Sequence, residues 1–246
     1  MLGSLIKRTA QNIFRWNEFS LEDVSETDND ILRGVKDYTM TSPERIFAVL
    51  EAVRYVLKSN LPGSIVECGV WRGGTMMAIA RLLCMHERFD KELYLFDTFE
   101  GMTLPAEVDI DFRGRKARTL FLARKRTGDS SVWCYAPVSE VQANLETIGY
   151  PRGKVHCVVG KVEDTIPQHA PEEISILRLD TDWYESTKHE LVHLFPRLVK
   201  GGVLIIDDYG HWQGARKAVD EYFVENKIPI LLNRIDYTGR IAVKVQ

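Results

Sequence analysis

The sequence predicts an α/β protein with a mainly parallel sheet covered by helices on both faces. Two observations carry this prediction. Apolar runs of strand length alternate with amphipathic helical segments, and two of these runs, residues 174–182 and 202–208, turn acidic where a strand would leave the sheet. Ligands of open α/β sheets bind at that edge. Several carboxylates there repel one another unless a cation lies between them, and an all-oxygen set suits Mg²⁺.

Composition limits the possible classes of protein. The chain has 246 residues, 45% hydrophobic and 27% charged, which is enough for one large domain with appendages. A formal net charge of −3 gives no overall reason to expect a nucleic-acid partner. The cysteines, Cys68, Cys84, Cys134 and Cys157, lack metal-binding spacing, so we expect reduced thiols and a cytoplasmic location.

The N-terminal segment is interpreted as an arm, residues 1–37, that precedes the main domain, residues 38–246. It shows no secretory signal, and no segment of the chain approaches the roughly 18 apolar residues of a membrane span. The arm is either a surface helix that packs on a partner subunit or one that lies on a membrane. We expect packing, and therefore a homo-oligomer without stable membrane insertion.

Strands and helices alternate along the main domain. Strands are predicted at residues 64–68, 92–97, 154–159, 174–180, 203–207, 229–233 and 240–245. Helices are predicted at residues 75–86, 138–148, 186–198 and 214–225, and another follows the cap Ser42-Pro43-Glu44. Only residues 234–239 separate the last two strands, so these should pair antiparallel. Residues 22–30 are acidic without a clear pattern, and residues 99–137 predict a lid-like inserted loop.

The first strand and the turn after it indicate the type of cofactor. Residues 64–75 form a strand, a glycine-rich turn of spacing GxxxGG and a helix start, where free N–H groups favour an anion. Glu67 would repel a pyrophosphate but suits an amino group and a sulfonium. Asp97, at the end of the second strand, could accept hydrogen bonds from ribose hydroxyls, and residues 160–164 could hold an adenine edge. Together they predict a site for a positively charged nucleoside.

Four motifs then resemble the macrocin O-methyltransferase family. They are Val66-Glu-Cys-Gly-Val-Trp-Arg-Gly-Gly74, Phe96-Asp-Thr-Phe-Glu-Gly-Met102, Leu179-Asp-Thr-Asp-Trp-Tyr-Glu-Ser-Thr187 and Asp207-Asp-Tyr-Gly-His-Trp212. The likeness runs from Tyr38 to the C-terminus and leaves residues 112–135 unassigned. It implies a Rossmann-like class I methyltransferase sheet of seven strands with an antiparallel C-terminal hairpin. It also implies an enzyme that uses S-adenosylmethionine and Mg²⁺ to methylate sugar hydroxyls of macrolide and aminocoumarin antibiotics.

The resemblance also implies roles for individual positions. The cofactor-binding residues would be Met40, Ser42, Glu67, Gly69, Thr75, Asp97, Val162 and Glu163. The metal ligands would be Asp180, Asp207 and Asp208, and Asp182 would be the general base. If strand geometry continues past Asp180, Asp182 points to the same side, so ligand and base could share one face. His211 is either a second catalytic group or a histidine at a helix start without a chemical role.

Three functions remain open at this stage. The preferred one is methylation of a sugar hydroxyl on a glycosylated natural product, because a divalent ion can acidify and position a hydroxyl for attack on a methyl carbon. The same metal chemistry would serve a catechol-type enzyme that acts on a small vicinal diol. A subunit that binds S-adenosylmethionine without catalysis is the third, although such a subunit should lack the acidic residues that are present here.

A basic cluster is the strongest local charge anomaly. Its members are Arg113, Arg115, Lys116, Arg118, Arg124, Lys125 and Arg126. It is either a solvated loop or part of a lid that closes over the cofactor and attracts an acidic acceptor or an anionic surface. Aromatic residues interleave only sparsely, at Phe112 and Phe121, which argues against nucleic-acid binding.

Overall fold

The computed structural model describes residues 24–124 and 131–246. Within them lie the strands β1 (Ser64–Cys68), β2 (Leu93–Asp97), β3 (Val155–Val159), β4 (Ile174–Leu179), β5 (Leu198–Ile206), β6 (Asn233–Arg234) and β7 (Arg240–Val243). They form one sheet of order β3-β2-β1-β4-β5-β7-β6. Strands β1 to β5 run parallel, and β7 pairs antiparallel with both β5 and β6. The predicted fold class is therefore confirmed.

Helices cover both faces of this sheet. The described helices are α1 (Glu26–Val35), α2 (Pro43–Lys58), α3 (Gly74–Met85), α4 (Ala117–Leu122), α5 (Val138–Glu146), α6 (Val162–Thr165), α7 (Tyr184–Leu194) and α8 (Gln213–Glu225). Alternate residues of a strand face opposite sides. Val203 of β5 accordingly packs in the core with α1, α2, α3 and α5, whereas Leu204 packs in the core with α6, α7 and α8.

Several predicted elements have other bounds in the structure, such as β5, which begins at Leu198, and proline accounts for two of the differences. The helix predicted over residues 186–198 ends at Leu194 and continues as a 3₁₀ turn, Phe195–Arg197, because Pro196 cannot donate to an α-helical ladder. The strand predicted over residues 229–233 is only Asn233–Arg234. Pro229 lacks the N–H that a ladder needs, and β7 offers partners to two residues only.

The acidic stretch of residues 22–30 contains the start of a helix that the sequence analysis did not assign. Ser25 caps α1 by accepting a hydrogen bond from the Asp28 amide, and Ile31 and Leu32 are buried in the core beside α3. The remainder of the predicted arm, residues 1–23, lies outside the described residues, as do Lys125 and Arg126 of the basic cluster.

Two further features of the described residues are the absence of a membrane-spanning helix and the state of the cysteines. No helix among them is both long enough and apolar enough to cross a membrane. All four cysteines are free thiols, and Cys68 is buried in β1.

Gly69 sits where the turn after β1 passes closest to the end of β4. Its φ of +83° is in the left-handed region. A Cβ at this position would lie 2.1 Å from the Asp180 carbonyl oxygen. Only glycine therefore lets the turn after β1 approach the backbone of the acidic motif.

Glu190 contacts the acidic motif after β4 through Thr181. Its carboxyl group is fully buried in α7 and accepts a hydrogen bond from the Thr181 hydroxyl at 2.9 Å. The other oxygen, Oε2, has no hydrogen-bond partner among the described residues. Burial raises the pKa of Glu190 well above its usual value, so the folded protein binds this proton more tightly than the unfolded chain does.

We expect Gly69→Ala to destabilise the protein more than Gly149→Ala, measured by urea unfolding. Both glycines have a φ of +83°, but Gly149 has no described atom within 4 Å of an added Cβ. Gly149→Ala should cost about 1 kcal/mol for the left-handed backbone. Gly69→Ala should cost at least about 2 kcal/mol more, because the Asp180 backbone must move. Equal losses in both variants would contradict the close approach.

Glu190→Gln should change how the free energy of unfolding depends on pH. Because the pKa of Glu190 is raised on folding, the folded state keeps a proton that the unfolded chain releases above its ordinary pKa of 4.5. The free energy of unfolding then falls as pH rises. Glutamine cannot titrate, so the stability of the variant relative to the wild type should increase from pH 5 to pH 8, by up to about 1.4 kcal/mol per pH unit. A difference that is constant with pH would contradict this.

Candidate active site

A cavity of about 930 Å³ opens where the parallel strands end, and it brings together every residue that the sequence analysis assigned to a site. On the cofactor side these are Met40, Ser42, Glu67, Gly69, Thr75, Asp97, Val162 and Glu163. On the acidic side they are Asp180, Asp182, Asp207, Asp208 and His211. The ends of β1, β2, β4 and β5 and the loops that follow them contribute to the lining, as expected for an open parallel sheet.

The turn between β1 and α3 holds the predicted cofactor residues in place. Glu67 and Thr75 are both buried, and burial raises the pKa of Glu67 to about 7 against the opposing attraction of Arg178. Asp97 has a different environment from the simple ribose acceptor that we expected. Its carboxylate accepts backbone N–H bonds from Val70 (2.7 Å), Trp71 (3.1 Å) and Phe99 (2.8 Å). Asp97 therefore also fixes the glycine-rich turn.

Two further segments close the cofactor side. The segment before α2 places Met40, which is 45% exposed, at the cavity, while Ser42 caps α2 and donates to Asp236 at 3.0 Å. The short helix α6 begins shortly after β3 and brings Val162 and Glu163 to the cavity lining. The cavity is thus bounded by three separate loops around the ends of β1 and β2.

The acidic side is a group of carboxylates that could hold a metal ion. Asp180, Asp207 and Asp208 each offer one oxygen, and these oxygens lie within 4.8 Å of one another. The buried Asp208 has one oxygen, Oδ2, without a hydrogen-bond partner among the described residues. Burial and the neighbouring Asp182 and Asp180 raise the pKa of Asp208 well above its usual value. A cation between these groups would relieve their repulsion.

Two buried arginines, which the sequence analysis missed, already compensate part of this charge. Arg178 of β4 donates to Glu67 (2.5 Å), Asp180 (2.8 Å) and Asp207 (2.6 Å). Arg45 of α2 contacts Asp207 and lies 3.1 Å from Asp236. One sequence signal could have identified Arg178: it is a single charged residue inside an otherwise uncharged strand, and such a charge is rarely buried unless it is paired.

Asp207 is bound more tightly by the protein than its neighbours are. Both of its oxygens accept from the Thr41 hydroxyl, at 3.1 and 3.2 Å, and each also accepts from an arginine. Asp180 is different, since 26% of its side chain is exposed and one arginine contacts it. The three predicted ligands are therefore close together, but Asp180 and Asp208 have more capacity left for an ion.

Asp182 does not continue the strand, contrary to the geometry assumed from the sequence. β4 ends at Leu179, and Asp182 has a φ of +70°, in the left-handed region that asparagine and aspartate tolerate best. A turn therefore replaces the alternation of strand side chains. Asp182 nevertheless lines the cavity and interacts with Asp208, so it still lies beside the predicted metal ligands.

His211 lines the cavity and lies among aromatic residues, some of which also line it. Its Nδ1 lies 3.0 Å from the Tyr237 hydroxyl, and the ring of Phe112 packs edge-on against it with centroids 5.3 Å apart. Trp133 and Trp212 line the cavity, whereas Trp183 is buried behind them in the same cluster. Tyr237, from the turn between β6 and β7, was not found by sequence reasoning, because nothing local indicated that this turn reaches the site.

Most described members of the basic cluster contact different neighbouring residues. Arg115 pairs with the buried Asp111, and Lys116 pairs with the exposed Glu107 at 2.8 Å. Arg113 lies over the Phe112 ring, and Arg124 lies over the Trp133 ring with its Cζ 5.3 Å from the centroid. Among the described members, Arg124 alone lines the cavity. The described part of the cluster is thus mostly engaged in local contacts.

Comparison with known proteins agrees with this geometry. The sequence model of the family described as Macrocin-O-methyltransferase (TylF) matches residues 7–243. A tetracenomycin rhamnoside 4'-O-methyltransferase of Streptomyces olivaceus is 34% identical over 204 residues, 82% of this chain and 74% of the relative. The demethyldecarbamoylnovobiocin O-methyltransferase of Streptomyces niveus is 32% identical over 202 residues, with the same coverage.

Solved structures give the same result. The O-methyltransferase NovP superposes with a TM-score of 0.73 at 29% identity, covering 85% of this chain and 83% of that one. The calicheamicin methyltransferase CalS11 superposes with a TM-score of 0.64 at 17% identity, covering 97% of this chain and 91% of that one, and it shows the shared fold. The family match begins well before Tyr38, where the motif resemblance began. The chain therefore belongs to the macrocin O-methyltransferase family and is an S-adenosylmethionine-dependent O-methyltransferase.

Proposed function

We propose that this enzyme uses Mg²⁺ together with S-adenosylmethionine to methylate a sugar hydroxyl of a glycosylated natural product. One observation carries the proposal: the acidic group Asp180, Asp207 and Asp208 shares a single cavity with the residues expected to bind the cofactor. An ion held by this group would therefore lie beside the donor methyl group. The named relatives from Streptomyces, a rhamnoside and a novobiocin-type methyltransferase, support a glycoside acceptor.

The donor atoms fit a hard cation. All three candidate ligands are carboxylates, the type of oxygen ligand that Mg²⁺ prefers. Asp208 Oδ2 is buried without a hydrogen-bond partner among the described residues, and such a polar atom needs compensation. We expect Asp180 and Asp208 to bind the ion directly. Asp207, which two arginines and Thr41 already hold, should contribute more to orientation and charge.

The cofactor half of the cavity fits a sulfonium nucleoside. Glu67 Oε2 is buried without a hydrogen-bond partner among the described residues, so it can accept from a cationic amino group. The absent Cβ of Gly69 lets this turn pass close to the Asp180 backbone, and Thr75 at the start of α3 would meet a carboxylate. Asp97 would bind the ribose, with Val162 and Glu163 around the adenine. Met40 and Ser42 would cover the bound cofactor.

Proton removal from the acceptor is assigned to Asp182. When bound, the ion would lower the pKa of the acceptor hydroxyl and hold its oxygen near the methyl carbon. The Asp182 carboxylate would accept the hydroxyl proton as the oxygen attacks the methyl carbon, while the S–CH3 bond breaks and S-adenosylhomocysteine leaves. This proton transfer would contribute about 10² to 10⁴-fold in rate. His211 would orient the acceptor oxygen, since it lines the cavity and Tyr237 holds its ring. The homo-oligomer and the cytoplasmic location stay predictions from the sequence.

Thermal melting tests the two cofactors separately. At 100 times its Kd, S-adenosylmethionine should stabilise the protein by about 2.7 kcal/mol, which corresponds to a Tm rise of roughly 5 to 10 °C. Mg²⁺ should add a smaller rise that EDTA removes, while the cofactor shift survives EDTA. No shift with S-adenosylmethionine would contradict the proposal. Methyl transfer that persists in EDTA would contradict the proposed requirement for Mg²⁺. A one-methyl mass gain on a catechol but on no glycoside would favour the diol-methylating alternative.

Asp182→Asn should lose turnover while keeping both ligands. Asparagine cannot take the hydroxyl proton, so we expect kcat to fall about 10² to 10⁴-fold, with Kd for S-adenosylhomocysteine and Mg²⁺ within about threefold of the wild type. Asp207→Ala should instead weaken Mg²⁺ binding. Asp164→Asn, an exposed neighbour of the cavity wall, serves as the control and should change neither quantity. Full activity in Asp182→Asn would show that another group is the base.

A further inference from the structure

Arg178 lies in a position that few charged residues occupy. It sits inside β4, every residue of which is buried, and 3% of its side chain is exposed. Its strand partners are Glu67 on β1 and Ile205 on β5, so it lies at the centre of the sheet. A buried charge in such a place is costly unless it is fully paired. Its pairing therefore shows what the residue does.

The guanidinium joins the two halves of the cavity. Nη1 donates both to Glu67 Oε1 at 2.5 Å and to Asp180 Oδ2 at 2.8 Å, while Nη2 donates to Asp207 Oδ1 at 2.6 Å. Glu67 belongs to the expected cofactor site, whereas Asp180 and Asp207 belong to the expected metal site. One planar group with a fixed fork of donors thus fixes carboxylates of both sites.

The contacts of Arg178 are important because the two sites contain more carboxylates than buried arginines. If all were ionised, the carboxylates of Glu67, Asp180, Asp207 and Asp208 would carry more negative charge than Arg178 and Arg45 can balance. Among the described residues, Arg45 pairs with Asp207 on the metal side and with Asp236 in the turn between β6 and β7. Arg178 is the described cation that contacts carboxylates of both sites. If one of its partners loses its charge, its hydrogen bonds and its field concentrate on the others.

We propose that Arg178 is a positioning residue shared by the cofactor site and the metal site, through which a charge change in one site alters affinity in the other. This inference rests on the proposed function, because it takes both sites as real. Neutralising Glu67 leaves Nη1 to Asp180 alone, which makes Asp180 a poorer ligand for a cation. Neutralising Asp180 leaves Nη1 to Glu67 alone, which makes Glu67 a poorer acceptor for the cofactor amino group.

Two isosteric substitutions test the remote effects. We expect Glu67→Gln to weaken Mn²⁺ binding at least about fivefold, measured by electron paramagnetic resonance, although Glu67 is not a proposed ligand. Asp180→Asn should weaken binding of S-adenosylhomocysteine at least about fivefold, measured by calorimetry. Both variants remove negative charge from an acidic cluster, so they should fold, which circular dichroism and Tm would check.

A double-mutant cycle with Arg178→Lys separates transmission through the guanidinium from repulsion through space. Lysine keeps the charge but lacks the planar fork. In that background each substitution should change the remote affinity less than about twofold, because the shared contact is gone. Undiminished remote effects in Arg178→Lys would overturn the proposal, since they would reflect simple Coulomb interaction.

Asp97→Asn provides a matched control on the cofactor side. Asp97 binds backbone amides and contacts no arginine of the network. It should weaken S-adenosylhomocysteine binding while leaving Mn²⁺ affinity within about twofold of the wild type. If Arg178→Lys fails to fold, this control still tests the proposal. Equal effects of Glu67→Gln and Asp97→Asn on Mn²⁺ affinity would overturn it. A wild type that binds neither probe contradicts the proposed function itself, whereas one that binds both without remote effects contradicts this inference alone.

Discussion

Like-charged carboxylates buried together at the ends of β1, β4 and β5 set the conditions for the rest of the site. Each ionised group at that depth costs several kcal/mol unless a cation or strong donors compensate it. The chain supplies Arg178 from inside the sheet and Arg45 from α2, together with the Thr41 hydroxyl. These groups hold the cluster together and still leave part of Asp180 and Asp208 available to the cavity. The arginines and Thr41 therefore leave part of the negative charge of the cluster uncompensated on the cavity side, where a divalent cation would bind.

This constraint explains why distant parts of the chain are tied to one edge of the sheet. Arg45 links Asp207 to Asp236 in the turn between β6 and β7, and Ser42 donates to Asp236 as well. The Thr238 hydroxyl donates to the Asp207 carbonyl at 2.8 Å. The antiparallel hairpin is thus more than a final pair of strands. It is a support for the acidic loop after β5 and for the start of α2.

The sequence predicted the parallel sheet and the acidic residues that lie together at its edge, because both follow from local patterns. Alternating apolar periodicities indicated the parallel sheet, and acidic residues after Leu179 and Ile206 had to meet at its edge once that sheet was accepted. The partners of those acids could not be predicted in the same way. Arg45, Tyr237 and Asp236 come from segments distant in the chain, and their side chains reach the site only through tertiary packing. Asp182 shows a different limit, since its left-handed backbone replaces the strand geometry that a period of two assumes.

The position of β7 between β5 and β6 has a consequence for how the protein is made. The partner of β5 on one side, β4, precedes it in the chain, whereas its partner on the other side is absent until Arg240–Val243 has been synthesised. Ribosomes add about 5 to 20 residues per second, so a nascent chain spends seconds with this edge unpaired and with Arg45 lacking Asp236. During that interval the unpaired edge of β5 is a template for pairing with another chain. Assembly of the acidic centre therefore waits for β7, although β1, which contributes Glu67, is synthesised long before β7.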